Sequence, residues 1–440
     1  MEPITHFLTG ACMGRAGLNR KTALATATVT LAAEAPDLDV LGRLHGPVFG
    51  FEHHRGFTHS FLGLVLVAAL VTGLMYSVWR LRGRRIKNPH LPPRWGLLFG
   101  FAYLAGLSHL LLDFTNNYGV RPFWPLSEMW YSWDIVFIVE PVLPALLLLG
   151  LVLPGFFSLI RSEIGDRQRG PRGRLAAWLA LSGMVLLWAV RHYEHRRAVA
   201  ALDSRTYEGA EPLRVSAYPS WNNPFRWYGV VETRDFFALA PIHSSEPEIG
   251  RVEILFKPEE TPVTLAAKQS YLGRSYLDWA QYPFTVTEVL DSGGYMVEFE
   301  DLRFANAWRG SGRRPLSAAV ELDRNLKVTA EVFGLRRRKV PPEESRGNPF
   351  SHPHGFHPST LTSSGGTPPL TPSAPKRHNR SLARCSCWHT CSSSWPWPCA
   401  SCPTPWRSRP WERRCCFSEH VGPAARCGFL WQCWPLPTLS

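Results

Sequence analysis

Outside its C-terminal tail, this sequence has almost no cysteine, and it has no recognisable secretion signal. Of the ten cysteines, nine lie between Cys385 and Cys433, and only Cys12 precedes them. A single cysteine excludes a disulfide framework for the rest of the chain. The opening residues, MEPITHF, lack the basic stretch and the long apolar run of a cleavable signal peptide, so we expect none.

Charge is almost absent from four long apolar stretches in the first half. These are Phe61 to Trp79, Trp95 to Leu112, Ile135 to Ile160 and the shorter Leu175 to Val190. About 20 apolar residues in a helix cross the hydrocarbon core of a bilayer. Two weaker segments, Ile4 to Ala16 and Thr22 to Ala35, are either short helices within the bundle or partial spans. We therefore predict a multi-pass α-helical membrane bundle over residues 1–192, with about four to six membrane-embedded helices.

Basic residues outnumber acidic ones, 48 against 35, which gives a net charge of +13. Many of them lie in two short loops between apolar stretches, Arg80 to Lys87 and Arg161 to Arg174. Basic clusters beside membrane spans mark the cytoplasmic side, and this placement argues against nucleic acid as a partner. We predict a protein of the inner (cytoplasmic) membrane with residues 200–335 outside the cytoplasm. The basic flank Arg191 to Arg197 counts against that orientation.

Ionisable residues gather at the predicted outward ends of the helices. His109 and Asp113 are four positions apart, so they share one face of a helix. Imidazole and carboxylate groups together suit zinc, manganese or iron, and several carboxylates favour a site with two ions. The predicted ligands of this divalent-metal site are His54, His59, His109, Asp113, Asp37 and Asp39. His6 and Asp134 are predicted as a further ligand or as the general base.

Two other interpretations of these residues stay open. A histidine at a helix end is often an interfacial residue bonded to water or headgroups, and Asp37 with Asp39 could form a solvated turn. Intramembrane histidine and aspartate also form proton or ion pathways. Such residues would be spread through the depth of the bundle, whereas these gather at one end, and this favours the metal site.

Several motifs carry a resemblance to a known family. They are His6, PDLD at 36–39, HRGFTHS at 54–60, SHLLLDFTNNYG at 108–119 and YPSWNNPFRWYGVVETRDFF at 218–237. Together they resemble the YdjM-like family of LexA-binding, inner-membrane-associated metal-dependent hydrolases, over residues 1 to about 335. The resemblance implies a multi-pass membrane protein with hydrolase activity, but no substrate. The sequence departs from the pattern of this family in two places. One is the tail, and the other is Glu140, where the family pattern leads us to expect Asp.

Residues 200–335 show the alternation of apolar and polar side chains typical of half-buried strands. Examples of such predicted strands are Arg251 to Lys257, Tyr282 to Leu290, Tyr295 to Phe304, Ala318 to Leu322 and Lys327 to Phe333. A turn at 291–294 makes a hairpin of the second and third, and one amphipathic helix spans about Val263 to Ala280. We predict a small strand-rich domain, α+β or β-sandwich-like. Its aromatic cluster at 221–228 is expected to pack in the core or rest on the membrane rather than bind a ligand.

Residues 340–440 differ abruptly from the rest of the chain. Pro, Ser, Arg, Trp and Cys crowd together there without a helical or strand period. Disordered segments are usually poor in Trp and Cys. We therefore favour a frameshifted reading frame for this segment. The alternative is a genuine disordered, low-complexity tail. Neither interpretation assigns a function to it.

Taken together, these patterns predict a membrane-embedded metal-dependent hydrolase that cleaves a phosphoester or acyl bond at the outer face. A metal-bound water would be the nucleophile. Membrane lipids are the expected partners. A lipid-linked substrate is expected only because of the position of the site. The sequence identifies no protein partner. The alternative is a non-catalytic membrane scaffold with a structural metal and a partner-binding outer domain. A closed ligand shell favours the scaffold, and an open coordination position favours the enzyme.

Overall fold

The computed structural model describes residues 1–82, 91–163, 173–246, 248–305, 316–334 and 336–340. Within these ranges the first half of the chain is helical and the second half is rich in strands. The predictions for the tail and for most of the two basic loops concern residues outside these ranges.

Seven α-helices form the first half, counting only the described residues. They are α1 (Pro3–Ala16), α2 (Ala25–Glu34), α3 (Pro47–His53), α4 (Phe61–Leu81), α5 (Trp95–Thr115), α6 (Val142–Glu163) and α7 (Arg174–Asp203). Helices α4, α5 and α7 are long and apolar enough to cross a membrane, and α6 contributes a shorter apolar stretch, Val142–Phe157. The prediction of an N-terminal helical region with apolar helices long enough to span a membrane is confirmed.

The third predicted span begins later than Ile135. The amides of Ile135 and Val136 donate to the carbonyl oxygen of Thr115 at 3.1 Å, so this segment pairs with the end of α5. Asp134 has a φ of 57°, which no α-helix allows, and α6 begins only at Val142, directly after Pro141. Hydrophobicity alone does not distinguish a buried extended segment from the first turns of a helix.

Helices α1 and α2 pack closely because glycines face the contact. A Cβ atom on Gly10 would lie 2.8 Å from the Cα of Thr30, and one on Gly14 would lie 2.8 Å from the Cα of Thr26. Small residues allow helix backbones to approach closely within a membrane. The contact brings the start of α1, with His6, beside the end of α2, after which Asp37 follows.

Several basic residues lie at the end of the bundle opposite His6 and Asp37. Arg15 donates to the carbonyl oxygen of Leu151 at 2.8 Å, and Arg174 donates to that of Ala16 at 2.9 Å. The end of α1 therefore contacts the start of α7 and the middle of α6 through arginine side chains. This segregation of charge supports a cytoplasmic position for that end, but the orientation itself stays a prediction.

We expect a cysteine that replaces Arg82 to be shielded from membrane-impermeant thiol reagents in intact cells, and one that replaces Ser245 to be labelled. Both side chains are exposed, so membrane orientation should decide the result. The measurement requires a chain whose tail cysteines are changed to serine, with permeabilised cells as the control for reactivity. The reverse labelling would place residues 200–335, called the soluble domain below, in the cytoplasm.

Helix α7 extends beyond its apolar part into the soluble domain. The apolar stretch ends at Val190, and the next residue, Arg191, is buried against the carboxylate of Glu140. Arg191 also donates to the carbonyl oxygens of Ser220 at 3.3 Å and Asn223 at 3.5 Å. Arg191, the first residue of the basic flank 191–197, is thus bound by the soluble domain. Its charge therefore counts less against the predicted orientation, in which this domain lies outside the cytoplasm.

Ten strands form two antiparallel sheets of five within the described part of the soluble domain. The strands are β1 (Arg214–Pro219), β2 (Arg226–Glu232), β3 (Phe236–His243), β4 (Glu248–Ile249), β5 (Glu253–Phe256), β6 (Pro283–Val289), β7 (Tyr295–Asp301), β8 (Ala318–Leu322), β9 (Val328–Phe333) and β10 (Arg336–Lys339). In the first sheet β1, β2 and β3 are adjacent, and both β4 and β5 pair with β3; the second sheet is a meander from β6 to β10. The predicted strand-rich domain is confirmed.

The predicted amphipathic helix is two helices, α8 (Pro262–Lys268) and α9 (Tyr271–Trp279). Ser270 separates them because its side chain accepts from the amide of Gly273 and caps α9. The aromatic cluster is divided as well. Trp227 is 2% exposed in β2, whereas Trp221 in the preceding loop is 54% exposed.

Candidate metal centre

Four side chains from three segments converge at one end of the bundle. Asp37 lies in a 3-10 segment that follows α2, His59 ends a 3-10 turn before α4, and His109 and Asp113 lie on α5. One ligating atom from each lies within 4.8 Å of the other three. His59, His109 and Asp113 are fully buried, while the Asp37 side chain is 17% exposed.

The distances between these atoms fit one metal ion. The Nε2 atoms of His59 and His109 are 3.0 Å apart. Oδ2 of Asp113 lies 3.3 and 3.5 Å from them, and Oδ1 of Asp37 lies 3.4 and 3.6 Å from them. Four ligands about 2.0–2.2 Å from a tetrahedral ion lie about 3.3–3.6 Å from one another. The cluster therefore has nearly the spacing of a tetrahedral ligand shell.

Hydrogen bonds on the far side of each ring orient the two histidines. Nδ1 of His109 lies 2.7 Å from the carbonyl oxygen of Ala33, so it donates and leaves a lone pair on Nε2. Nδ1 of His59 lies 3.3 Å from Oδ2 of Asp39. Two imidazole lone pairs and two carboxylate oxygens thus face one point, and Oδ2 of Asp113 is buried without a hydrogen bond from any described residue. Four acceptors at these distances favour a positive charge between them, either a proton on a histidine or a metal ion.

The pKa of His59 also indicates that the cluster favours a positive charge. Burial lowers the pKa of this histidine, but hydrogen bonds with Asp113, Asp37 and Asp39 outweigh burial and raise it to about 10. These carboxylates therefore favour a cation at the centre of the cluster, which a bound divalent metal would supply.

His54 and Asp39, both predicted as ligands, lie beside His59 and outside the group of four. Asp39 accepts from Nδ1 of His54 at 2.9 Å and from the amide of Arg55 at 2.8 Å. Burial raises the pKa of Asp39, but hydrogen bonds from His54 and His59 lower it below its usual value. A carboxylate behind a metal-binding histidine fixes its ring and increases its basicity, and the geometry gives Asp39 that position.

His6 lies directly beside the group of four. Its ring stacks on that of His109 with the centroids 3.8 Å apart, and its Nε2 lies 3.4 Å from Oδ1 of Asp113. Both ring nitrogens are buried, and neither has a hydrogen bond from any described residue. This position suits either a further ligand or a group that accepts a proton.

Arg55 is a site residue that the sequence patterns did not single out. Its guanidinium donates to Oδ1 of Asp113 at 2.9 Å and to the carbonyl oxygen of Gly119 at 3.0 Å. The amino group of Met1 contacts the same Oδ1 atom. Because Oδ1 is held on that side, Oδ2 faces the histidines. The only sequence signal was the position of Arg55 between His54 and His59 in HRGFTHS.

Asp134 lies in a different environment. Burial raises its pKa to about 6, against the nearby guanidinium of Arg303 and a hydrogen bond from Ser132. Among the described hydrogen bonds and ion pairs, none connects it to the four ligands. The structure thus brings His6 to the centre but gives Asp134 no contact with it.

The soluble domain holds the loop that follows α5. Arg303 donates to the carbonyl oxygen of Asn117 at 2.9 Å, and the indole of Trp279 donates to that of Tyr118 at 3.1 Å. The amide of Tyr118 in turn donates to Oδ1 of Asn116 at 2.8 Å, an atom that also accepts from Arg55. A chain of hydrogen bonds therefore links the soluble domain to Asp113.

Comparison with known proteins finds relatives of the part of the chain that holds the cluster. Residues 1–198 match the family model described as YdjM inner membrane protein, which confirms the resemblance for the half of the chain that carries all four ligands. The uncharacterized protein YfhP of Bacillus subtilis strain 168 is 24% identical over 352 residues, covering 76% of this chain and 95% of that protein. No solved structure matches the chain.

Proposed function

We propose, for a chain whose first 198 residues match the YdjM inner membrane protein family, that it is a membrane-embedded metal-dependent hydrolase. Its substrate has a phosphoester or an acyl bond, and the reaction takes place at the outer face of the membrane. Zinc, manganese or iron would suit the site, because the ligands are imidazole nitrogens and carboxylate oxygens.

The observation that carries this proposal is the type of ligand. The cluster has two histidines and two aspartates, and no cysteine. Structural zinc sites are mostly built from cysteine, alone or with histidine, whereas hydrolytic sites combine histidine with carboxylate. The set of ligands therefore favours a catalytic role over a structural one.

Each residue has a distinct role in this proposal. Asp37, His59, His109 and Asp113 would hold the ion, which supplies a water molecule acidic enough to ionise near neutral pH. Arg55 keeps one oxygen of Asp113 directed at the histidines. His6, whose Nε2 lies 3.4 Å from Oδ1 of Asp113, is the better candidate for proton transfer, because Asp134 makes none of the described contacts with the ligands. A second ion stays a prediction.

The surface around Asp37 supports a lipid-like substrate. Asp37 is the ligand with an exposed part, and the same 3-10 segment carries exposed apolar side chains. Leu38, Leu41 and Leu44 are 61%, 57% and 83% exposed. Leucines beside the entrance of a site at the end of a membrane bundle favour a substrate with a hydrocarbon part.

A non-catalytic scaffold is the second candidate, and one observation favours it. Four protein ligands can fill a tetrahedral shell and leave no position for water. The ligating oxygens of Asp37 and Asp113 lie within 4.8 Å of each other. An open position for water between them is what the hydrolase requires.

Hydrolysis by the purified full-length protein would separate the two candidates. We expect metal-loaded protein to cleave an amphiphilic chromogenic phosphoester or acyl ester, to lose this activity with a chelator and to regain it with metal. Asp37→Asn should lower kcat/KM by about 100-fold or more, while Asp235→Asn, a change at an exposed position in the soluble domain, should not. Metal-loaded protein that cleaves neither class of ester would support the scaffold.

A further inference from the structure

The soluble domain contains a cavity separate from the metal centre. Its volume is about 550 Å³, and its walls include Phe137, Tyr218, Trp221, Arg226, Trp227 and His243. None of the four metal ligands lines it. A cavity of this size, with aromatic walls and a few polar groups, is typical of a binding site for a small molecule.

The cavity lies at the level of the membrane boundary. The apolar stretch of α7 ends at Val190, and Arg191 immediately beyond it contacts the carbonyl oxygens of Ser220 and Asn223. Ser220 lines the cavity. Phe137 also lines the cavity, and it precedes Glu140, the partner of Arg191. The cavity therefore adjoins the end of the apolar stretch of α7, where we expect the hydrocarbon of the bilayer to end.

Two exposed side chains at the cavity have the properties of interfacial lipid contacts. Trp221 is 54% exposed, and tryptophan is enriched at the level of lipid headgroups. Arg226 is exposed and forms no ion pair with any residue that the structure describes. A free guanidinium at this depth attracts the negative charge of a headgroup.

Other polar side chains can bind hydroxyl groups. His243 lies opposite Arg226 in the pairing of β2 with β3, and Glu248 pairs with His243 from the neighbouring strand. Both line the cavity, together with Ser220 and Asn222. Arg303 also lines the cavity but is paired with Asp301. Carboxylate, amide and hydroxyl groups around Arg226, which is unpaired among the described residues, suit an anionic headgroup that also has hydroxyls.

We propose that this cavity binds the headgroup of an anionic membrane amphiphile whose hydrocarbon part stays in the bilayer beside α7. The aromatic walls would enclose the headgroup, Arg226 would pair with its phosphate, and Trp221 would rest at the interface. The proposal concerns a site apart from the metal centre, and it does not depend on hydrolysis.

Lipid binding to the full-length protein in detergent would test this site. We would titrate phosphatidylglycerol, phosphatidylcholine and free glycerol phosphate, and measure retained lipid by native mass spectrometry. Wild-type protein should retain phosphatidylglycerol in preference to phosphatidylcholine. Arg226→Gln should weaken phosphatidylglycerol binding by about five-fold, and Trp221→Ala should weaken the binding of both lipids.

Matched changes elsewhere on the same domain provide the controls. Arg234 lies in the exposed turn between β2 and β3, and Phe256 is 72% exposed on β5; neither lines the cavity. Arg234→Gln and Phe256→Ala should leave lipid binding unchanged. Equal losses in the Arg226 and Arg234 variants would overturn the proposal, because they would reveal only general attraction to negative charge. Glycerol phosphate binding as tightly as the lipid would also overturn it, in favour of a soluble ligand.

Discussion

Replacing His109 with alanine should remove the divalent metal from the purified protein. The Nε2 atom of His109 lies within 3.6 Å of the ligating atoms of His59, Asp37 and Asp113, so its loss opens one quarter of the shell. Structural zinc binding is worth about 10–16 kcal/mol in small domains. One ligand in four then corresponds to a loss of affinity of about 100- to 1000-fold.

Metal analysis and thermal unfolding measure this effect independently. A ligand at about 100 times its Kd stabilises a folded protein by about 2.7 kcal/mol. A chelator should therefore lower the unfolding temperature of the wild type and leave that of His109→Ala unchanged. The variant has already lost the metal, whereas removing it from the wild type leaves four acceptors, three of them on buried residues, facing one another.

His53 offers a control within the same region. Its side chain is 53% exposed, and its Nδ1 contacts the carbonyl oxygen of Phe49 rather than the cluster. His53→Ala should keep both the metal and the response to the chelator. Asp37→Asn, which preserves the shape of the side chain, guards against misfolding of the alanine variant. Metal retained by both His109→Ala and Asp37→Asn would refute the site.

The sequence predicts the helical half well because its signals are local. Apolar length alone gives the prediction Phe61 to Trp79, and α4 is Phe61–Leu81. The pairing of His109 with Asp113 follows from helix geometry, since residues four apart share a face. Both predictions need only the repeat of the α-helix and the thickness of the bilayer.

The division between ligands and their supporting residues does not follow from the sequence. Asp37 and Asp39 are two positions apart in a 3-10 segment, where a turn has about three residues, so their side chains diverge. Asp37 faces the histidine nitrogens, and Asp39 faces the other side of the His59 ring. The motif PDLD does not reveal which carboxylate faces inward.

Long-range contacts are the other part that the sequence does not predict. Arg55 and Asp113 are 58 positions apart, and Arg303 and Asn117 are 186 positions apart. Strands β1 to β3 were also missed. Most residues of β2 and β3 are buried on both faces, so these strands lack the clear alternation that identifies a half-buried strand.

Arg303 gives the second large effect that we expect. It is 3% exposed and forms a buried ion pair with Asp301 at 2.8 Å. Burial lowers the pKa of this guanidinium, but the carboxylate of Asp301 outweighs burial and raises it above its usual value. The same guanidinium donates to the carbonyl oxygens of Asn117 and Trp279. Arg303 therefore joins the soluble domain to the loop that follows α5.

Arg303→Met should destabilise the full-length protein by about 3–5 kcal/mol, because it leaves the buried carboxylate of Asp301 without its cation. It should also weaken metal binding by about 10- to 100-fold, since outer hydrogen bonds orient metal ligands. Urea unfolding in detergent measures the first effect, and metal titration measures the second. Adding Asp301→Asn to the variant should restore part of the stability, because the unpaired charge is gone, but not the metal affinity.

Arg214 is the matched control for Arg303. It pairs with Glu232 at 3.2 Å, but both side chains are 26% exposed, and such surface pairs contribute about 0–1 kcal/mol. Arg214 also donates to the carbonyl oxygen of Gln281 and lies over the ring of Tyr282. Arg214→Met should therefore lower stability by less than Arg303→Met does, and it should leave metal affinity unchanged. If Arg303→Met lost stability but kept full metal affinity, Arg303 would hold the domain together without positioning the centre. We expect instead that Arg303→Met loses both stability and metal affinity. Loosening Asn117 frees Asn116 and Arg55, and these residues hold Asp113 in place through hydrogen bonds.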